Sequence, residues 1–262
     1  MKTFDVIVVG SGHAGCEAAL AAARSGAHTA LVTIREAGFA SMPCNPAVGG
    51  IAKSHLVHEI DVLGGEMGRN TDCTGIQFRT LNTKRGPAVQ ATRVQCDKQA
   101  YPARMRAVIE STTNLTVIFD TADRILMDGN RVCGIGGSNG NEIRGKTVVI
   151  TSGTFLRGRL HIGHECTPGG RSGVASAENL SQSFAELGFR LGRLKTGTPP
   201  RLHKNSLDYS KMELQPGQEP APFFSWRTSS QLFHVEHGGG GGRNDPVFHV
   251  EHSNATIKIG RA

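Results

Sequence analysis

The sequence predicts an α/β fold in which a parallel βαβ unit is combined with a β-meander, and three stretches carry that prediction. FDVIVV at 4–9 is a nearly continuous apolar run rich in β-branched side chains, as expected of a parallel strand covered on both faces. It is followed by a glycine turn, residues 10–12, and by the alanine-rich HAGCEAALAAARS, a strong helix former that Gly26 stops in a C-cap role. KTVVITSG, reached through several short strand-like runs, ends on a small-residue and glycine step.

The remaining elements follow in order. TALVT, 29–33, is the second strand of the βαβ unit, and a long loop containing SMPCNPAVGG leads to a helix expected from about 51 to 63, ended by Gly64 and Gly65. GIQFRTLNTKRGPAVQATRVQCD reads as a basic, irregular stretch before a helix over roughly 97–111. From 115 to 150 short strands are expected, with turns at DGN and SNGN. HIGHECTPGGRSG is turn-rich, LSQSFAELGF is helical, and the chain then runs through RLGRLKTGTPPRL at 190–202. Beyond Asp208 the pattern thins to FFSWRTSS; the last 30 or so residues repeat FHVEH around GGGGG and read as low-complexity. The expected organisation is a first domain over 1–203, the start of a second over 204–228, and an unstructured tail over 229–262.

With 262 residues, 38 % of them hydrophobic, the chain can build a real core. Its net charge of +7 suits an anionic partner such as tRNA or a phosphate-rich cofactor, and equally a basic solvated surface. The six cysteines contain no CxxC pair, so free thiols in a reducing compartment are expected. No apolar run approaches the roughly 18 residues that cross a bilayer. The N-terminal VIVV is too short for a signal-peptide core, which gives a cytoplasmic expectation with no membrane partner.

Gly10, Gly12 and Gly15 form G-x-G-x-x-G on a strand, turn and helix. The first permits the tight turn, the second lets the backbone approach a pyrophosphate, and the third lets helix pack on strand. This makes the fold a Rossmann-like FAD/NAD(P)-binding domain with a β-meander insertion. The acid that would grip the adenosine ribose is missing at Thr33 and Ile34, and Glu36 could substitute from the loop. KTVVITSG adds weight to flavin, because a meander returning to the first βαβ unit is the layout of many two-dinucleotide flavoproteins.

Cys44 lies between Pro43 and Pro46, which restrict the backbone on either side. Taken by itself it is a small packed hydrophobe, a redox thiol or a nucleophile. Lys53, expected on the first turn of the following helix, or that helix's N-terminus would help supply a thiolate. Arg79, Lys84, Arg85 and Arg93 form a basic loop that could meet tRNA phosphates, a flavin pyrophosphate or only solvent, and Arg193, Lys195 and Arg201 share that ambiguity. His234, His237, His249 and His252 make two HxxH pairs in the repeat, where only incidental metal binding is expected, so no metal site is assigned. Cys16, Cys73, Cys96, Cys133 and Cys166 are expected to be core or surface thiols.

Five blocks in order, GSGHAGCEAALAAA, SMPCNPAVGGIAKSHLVHEIDVLGG, GIQFRTLNTKRGPAVQATR, SGTFLRGRLHIG with GGRSG, and RLGRLKTGTPPR, resemble the glucose-inhibited division protein A family, also called MnmG. The resemblance runs from about Phe4 to Trp226. It implies an FAD enzyme of tRNA modification that works with a GTPase partner, MnmE. The reaction it implies adds a carboxymethylaminomethyl or aminomethyl group to carbon five of the wobble uridine, using NADH, methylene-tetrahydrofolate and glycine or ammonium. It further implies that Cys44 is catalytic, that Gly10, Ser11, Gly12, His13, Ala14 and Gly15 hold FAD, that Asp123 lies at a backbone contact to the cofactor, and that full-length relatives form homodimers. Family members are more than twice this length, and the pattern is lost after Trp226. Two readings therefore stay open: the FAD-binding part of a tRNA-modifying flavoenzyme completed by another polypeptide, and a catalytically inactive fragment.

Overall fold

A computed structural model describes residues 3–197, 202–228 and 255–258. In chain order the elements are β1 (Phe4–Val9), α1 (His13–Arg24), β2 (Thr29–Thr33), β3 (Ala47–Gly49), α2 (Ser54–Val62), α3 (Met67–Thr74), β4 (Gly75–Leu81), β5 (Ala91–Cys96) and α4 (Ala100–Ser111). There follow β6 (Leu115–Phe119), β7 (Ala122–Asp128), β8 (Arg131–Gly137), β9 (Glu142–Ile150), β10 (Arg159–Ile162), β11 (Glu165–Pro168), α5 (Leu180–Glu186), β12 (Glu213–Pro216) and β13 (Ala255–Lys258). The chain divides into two compact units, Met1–Pro43 with Pro102–Thr196 and Cys44–Tyr101 with Gly197–Ala262. This division differs from linear boundaries at 203 and 228. One crossing falls inside the loop containing SMPCNPAVGG and another inside α4, where no shift in composition marks them.

The first unit is built on a six-stranded sheet ordered β6-β2-β1-β9-β8-β7. β6, β2, β1 and β9 run parallel, with Ile7 beside both Ala30 and Val148, and β8 and β7 continue antiparallel as the meander. The strand containing KTVVI thus returns to β1, as the sequence predicts. Successive side chains of a strand face opposite ways, so these near-continuous apolar runs require cover on both sides. α1 supplies Cys16, Ala19, Leu20 and Ala23 as its buried stripe and packs on β1 and β2. Ile7, Val9, Ala30 and Val32 instead join Ala122, Ile135, Ile143 and Leu180 in one core cluster. β10 and β11 form a hairpin within the segment read as turn-rich.

The second unit contains a three-stranded antiparallel sheet ordered β3-β5-β4. Its β4–β5 hairpin is the stretch read as irregular. There Phe78 faces Val94 and both are buried, while the adjacent pair, Arg79 and Arg93, carries the charge that disguised the alternation. α3 also escaped the sequence reading, because it buries polar side chains. Asn70 donates to the Tyr101 carbonyl at 3.1 Å and Thr74 to the Asn70 carbonyl at 2.7 Å. α2 begins at Ser54 rather than near 51, since Gly50 and Ala52 hold positive φ values of 98° and 58° that a right-handed helix cannot accommodate.

Two carboxylates, each 1 % exposed, clasp residues 224–228 within this unit. Asp72 accepts from the Phe224 amide at 2.9 Å, the Ser225 amide at 2.8 Å and the Thr228 hydroxyl at 2.6 Å. Asp61 accepts from the Trp226 amide and, at 2.9 Å, from the Arg227 guanidinium, which also donates to the Gly65 carbonyl. Of the expected 229–262 tail, only β13 lies within the described residues, paired antiparallel with β12. No helix among the described residues is long and apolar enough to cross a membrane.

Candidate functional site

The fingerprint loop joins the end of β1 to α1. Gly10 has φ +99°, and a Cβ there would lie 2.6 Å from the Thr151 carbonyl oxygen at the end of β9. A Cβ on Gly15 would overlap the Gly10 carbonyl and sit 2.7 Å from Thr151 Oγ1, whereas a Cβ on Gly12 would meet nothing within 4 Å. The first and third glycines are therefore consumed by protein contacts, and the second faces open space, as a site for close approach by a ligand requires. Gly12 is the N-cap of α1, without a side-chain cap and with no acidic residue in the first turn. The helix N-terminus thus presents its leading amides and a partial positive charge suited to an anion.

The loop borders a cavity of about 340 Å³, at the lower end of the roughly 300–1,000 Å³ of ligand pockets. Gly10, Ser11, Gly12, His13 and Ala14 line it, together with Thr33, Ile34, Ala37, Pro43, Asp120, Thr151 and Arg171. Every lining residue belongs to the first unit. Of the sequence-predicted cofactor residues, five reach the cavity and Gly15 supports it from behind. Burial lowers the basicity of His13, favouring a neutral ring at the helix start. Thr33, where the ribose acid was expected, is 4 % exposed and its hydroxyl lies 2.6 Å from that of Ser11, which also donates to the Gly38 carbonyl. Glu36 falls in a short 3-10 turn over Arg35–Ala37, and its side chain lies outside the described set.

Asp123 sits on β7, one residue past the cavity wall formed by Asp120, Thr121 and Ala122, and its carboxylate accepts from Asn179 at 3.1 Å. Sequence reasoning missed Asp120, Thr151 and Arg171 as cavity residues. Asp120 and Thr151 share one signal, a polar residue immediately after an apolar strand at the carboxyl edge of a parallel sheet.

Cys44 is exposed and follows the cavity residue Pro43 directly in the chain. Lys53 is the N-cap of α2 rather than a first-turn residue. Cys16 and Cys96 are buried, and desolvation pushes both thiols up to about 12. Cys73 and Cys166 are exposed and Cys133 is half-buried, so the remaining five are core or surface thiols. In the hairpin Arg79 stands directly opposite Arg93, and among the described residues neither has a carboxylate partner. Arg193 donates to the Arg157 carbonyl at 3.1 Å and Lys195 is exposed, while Arg201 and the four HxxH histidines lie outside the described residues. Among the described residues no group of three or more His, Cys, Asp or Glu side chains could hold a metal ion.

Comparison with known proteins agrees with this geometry. The family model described as glucose inhibited division protein A matches residues 5–235. The tRNA uridine 5-carboxymethylaminomethyl modification enzyme MnmG of Syntrophotalea carbinolica is 52 % identical over 224 residues, covering 86 % of this chain and 36 % of that protein. Its counterpart in Pelobacter propionicus is 53 % identical over 225 residues, with the same coverage. The crystal structure of Aquifex aeolicus GidA superposes with a TM-score of 0.83 at 49 % identity, over 86 % of this chain and 38 % of that one. A GidA-related protein from Thermus thermophilus gives 0.51 at 26 % identity, over 72 % and 70 %. The chain thus spans about 36 % of the length of the curated relatives it matches. On the match over 5–235, the chain belongs to the glucose inhibited division protein A family.

Proposed function

We propose that this chain is the FAD-binding part of a flavoenzyme that modifies the wobble uridine of tRNA. The observation that carries the reading is the open face of Gly12 beside the uncapped start of α1, within a cavity that also holds Arg171. A pyrophosphate there would accept hydrogen bonds from the loop amides and meet a guanidinium, while the cavity residues Thr33, Ile34 and Ala37 would flank the adenosine. When bound, FAD supplies reversible two-electron chemistry. Family membership extends the reading to NADH as reductant, to tRNA and the GTPase MnmE as partners, to a homodimer and to the cytoplasm.

Cys44 is the proposed nucleophile. Its thiolate adds to carbon six of the uracil ring, forming a C–S bond and moving the ring π electrons onto carbon five, which becomes nucleophilic. Once carbon five has bonded to the one-carbon unit supplied by methylene-tetrahydrofolate, loss of the carbon-five proton expels the thiolate and restores the ring double bond. The exposure of Cys44 supports this role, as does the backbone restriction by Pro43 and Pro46. The Arg79–Arg93 couple, without a carboxylate partner among the described residues, supports a polyanionic substrate, since like charges directly opposite in a hairpin are unfavourable until an anion bridges them.

Flavin absorbance of the purified chain tests the cofactor, and a colourless protein that takes up no added FAD would sink the reading in favour of an inactive fragment. For the nucleophile, Cys44→Ser should retain FAD yet lose uridine modification when the chain is complemented by the rest of a family enzyme. Unchanged modification would refute that assignment.

A further inference from the structure

We infer that Asp120 is the carboxylate that reads the ribose hydroxyls of the bound adenosine diphosphate half, in the role that neither Thr33 nor Ile34 at the end of β2 can fill. This rests on the FAD reading above. In dinucleotide folds the acid at the carboxyl end of the second strand accepts from the ribose. Here that position offers Thr33, whose hydroxyl is tied to Ser11, and Ile34, which is apolar. β6 is the parallel neighbour of β2 with Phe119 beside Thr33, so the next residue, Asp120, stands level with Ile34. The Asp120 amide donates to the Thr33 carbonyl at 3.1 Å, which fixes that register. Adjacent strands lie only about 4.8 Å apart, so a side chain one strand over can serve the same spot.

The surroundings hold this carboxylate in one orientation. Oδ1 accepts from the Thr121 amide at 2.7 Å, the Ser138 hydroxyl at 3.1 Å and the Asn139 amide group at 3.3 Å. Oδ2 has no hydrogen-bond donor among the described residues and packs beside Gly137, where any Cβ would overlap it. Asp120 is 8 % exposed yet lines the cavity. An ionised carboxylate only accepts hydrogen bonds, and a ribose presents two hydroxyl donors. A purely structural Asp120 would cap the turn between β8 and β9 and be indifferent to the sugar.

Competition against bound FAD by ADP, 2′-deoxy-ADP and 3′-deoxy-ADP separates these possibilities in the purified chain. Wild type should prefer ADP over at least one deoxy analogue by roughly ten- to a hundredfold, the range of a charge-assisted hydrogen bond. Asp120→Asn, which can keep only a neutral hydrogen bond, should cut that ratio to a few-fold at most, and Ser138→Ala, which keeps the acid but removes one of its supports, should reduce it partly. Equal binding of all three nucleotides by wild type would overturn the inference whatever the variants do. So would an Asp120→Asn protein that weakens all three in the same proportion. A chain that binds neither FAD nor ADP refutes the cofactor reading as well, whereas FAD binding without sugar selectivity refutes Asp120 alone.

Discussion

Gly12→Ala and Gly15→Ala add the same methyl group three residues apart and should fail in different ways. At Gly15 the new Cβ overlaps the Gly10 carbonyl, with Thr151 Oγ1 at 2.7 Å, so α1 must move away from β1. Overpacking of this kind costs about 1–3 kcal/mol, or a fall of about 2–12 °C in Tm for a chain of this size. FAD affinity should fall with it. At Gly12 the Cβ meets no protein atom, and φ −66°, ψ −178° suits alanine. Losing glycine at an N-cap costs up to about 1 kcal/mol, and the reduced freedom of the unfolded chain returns about 0.4–1 kcal/mol, so Tm should stay within a few degrees. The methyl does occupy the space through which a pyrophosphate reaches the amides, and losing such a charge-assisted contact costs about 1.5–3 kcal/mol, roughly ten- to a hundredfold in Kd. Flavin fluorescence titration and thermal melts on both variants decide the matter. A Gly12→Ala protein that binds FAD as tightly as wild type would refute the assignment of this loop.

Native-state alkylation should label Cys44, Cys73 and Cys166 while sparing Cys16 and Cys96, whose thiols burial pushes up to about 12; rapid labelling of either buried thiol, read by peptide mass, contradicts the described packing. Arg93→Ala should leave the hairpin as stable as before or improve it by about 0.2–1 kcal/mol, while lowering tRNA affinity and reducing the salt slope by about one; a slope that does not change argues against phosphate contact. Burial raises the Asp72 carboxyl above its ordinary 3.8. The folded form therefore binds that proton more tightly, and the group's contribution is fully present below 3.8 and is lost as pH rises through the raised value. The stability of wild type relative to Asp72→Asn in urea should accordingly decline with increasing pH over that window, and a difference that grows with pH would contradict the direction of the shift.

The parts of the fold that could be read from sequence are those whose burial is one-sided or complete in apolar residues. β1, α1 and β2 follow from continuous or striped hydrophobicity, and the meander follows from the turns at DGN and SNGN. The hairpin of β4 and β5 was hidden because its alternation pairs Phe78 with Val94 beside an arginine couple, so charge masked period two. α3 was hidden because it buries Asn70, Thr71, Asp72 and Thr74: Thr71 and Thr74 donate to carbonyls one turn back, and Asn70 and Asp72 are satisfied by tertiary hydrogen bonds that no local pattern announces. The glycine loop was legible, since backbone sterics demand glycine at Gly10 and Gly15. Asp120 was not, because its relation to Thr33 and Ile34 exists only once β6 pairs with β2 across 85 or so residues of chain.

The most direct test of the cofactor site is equilibrium titration of the purified chain with FAD and with FMN. The loop, the helix start and the cavity lie within one unit, and on the proposed reading they serve the half of FAD that FMN lacks. FAD should saturate at one equivalent, be displaced by ADP, and bind at least tenfold more tightly than FMN. Equal affinity for the two flavins, or no uptake of FAD, would contradict the account.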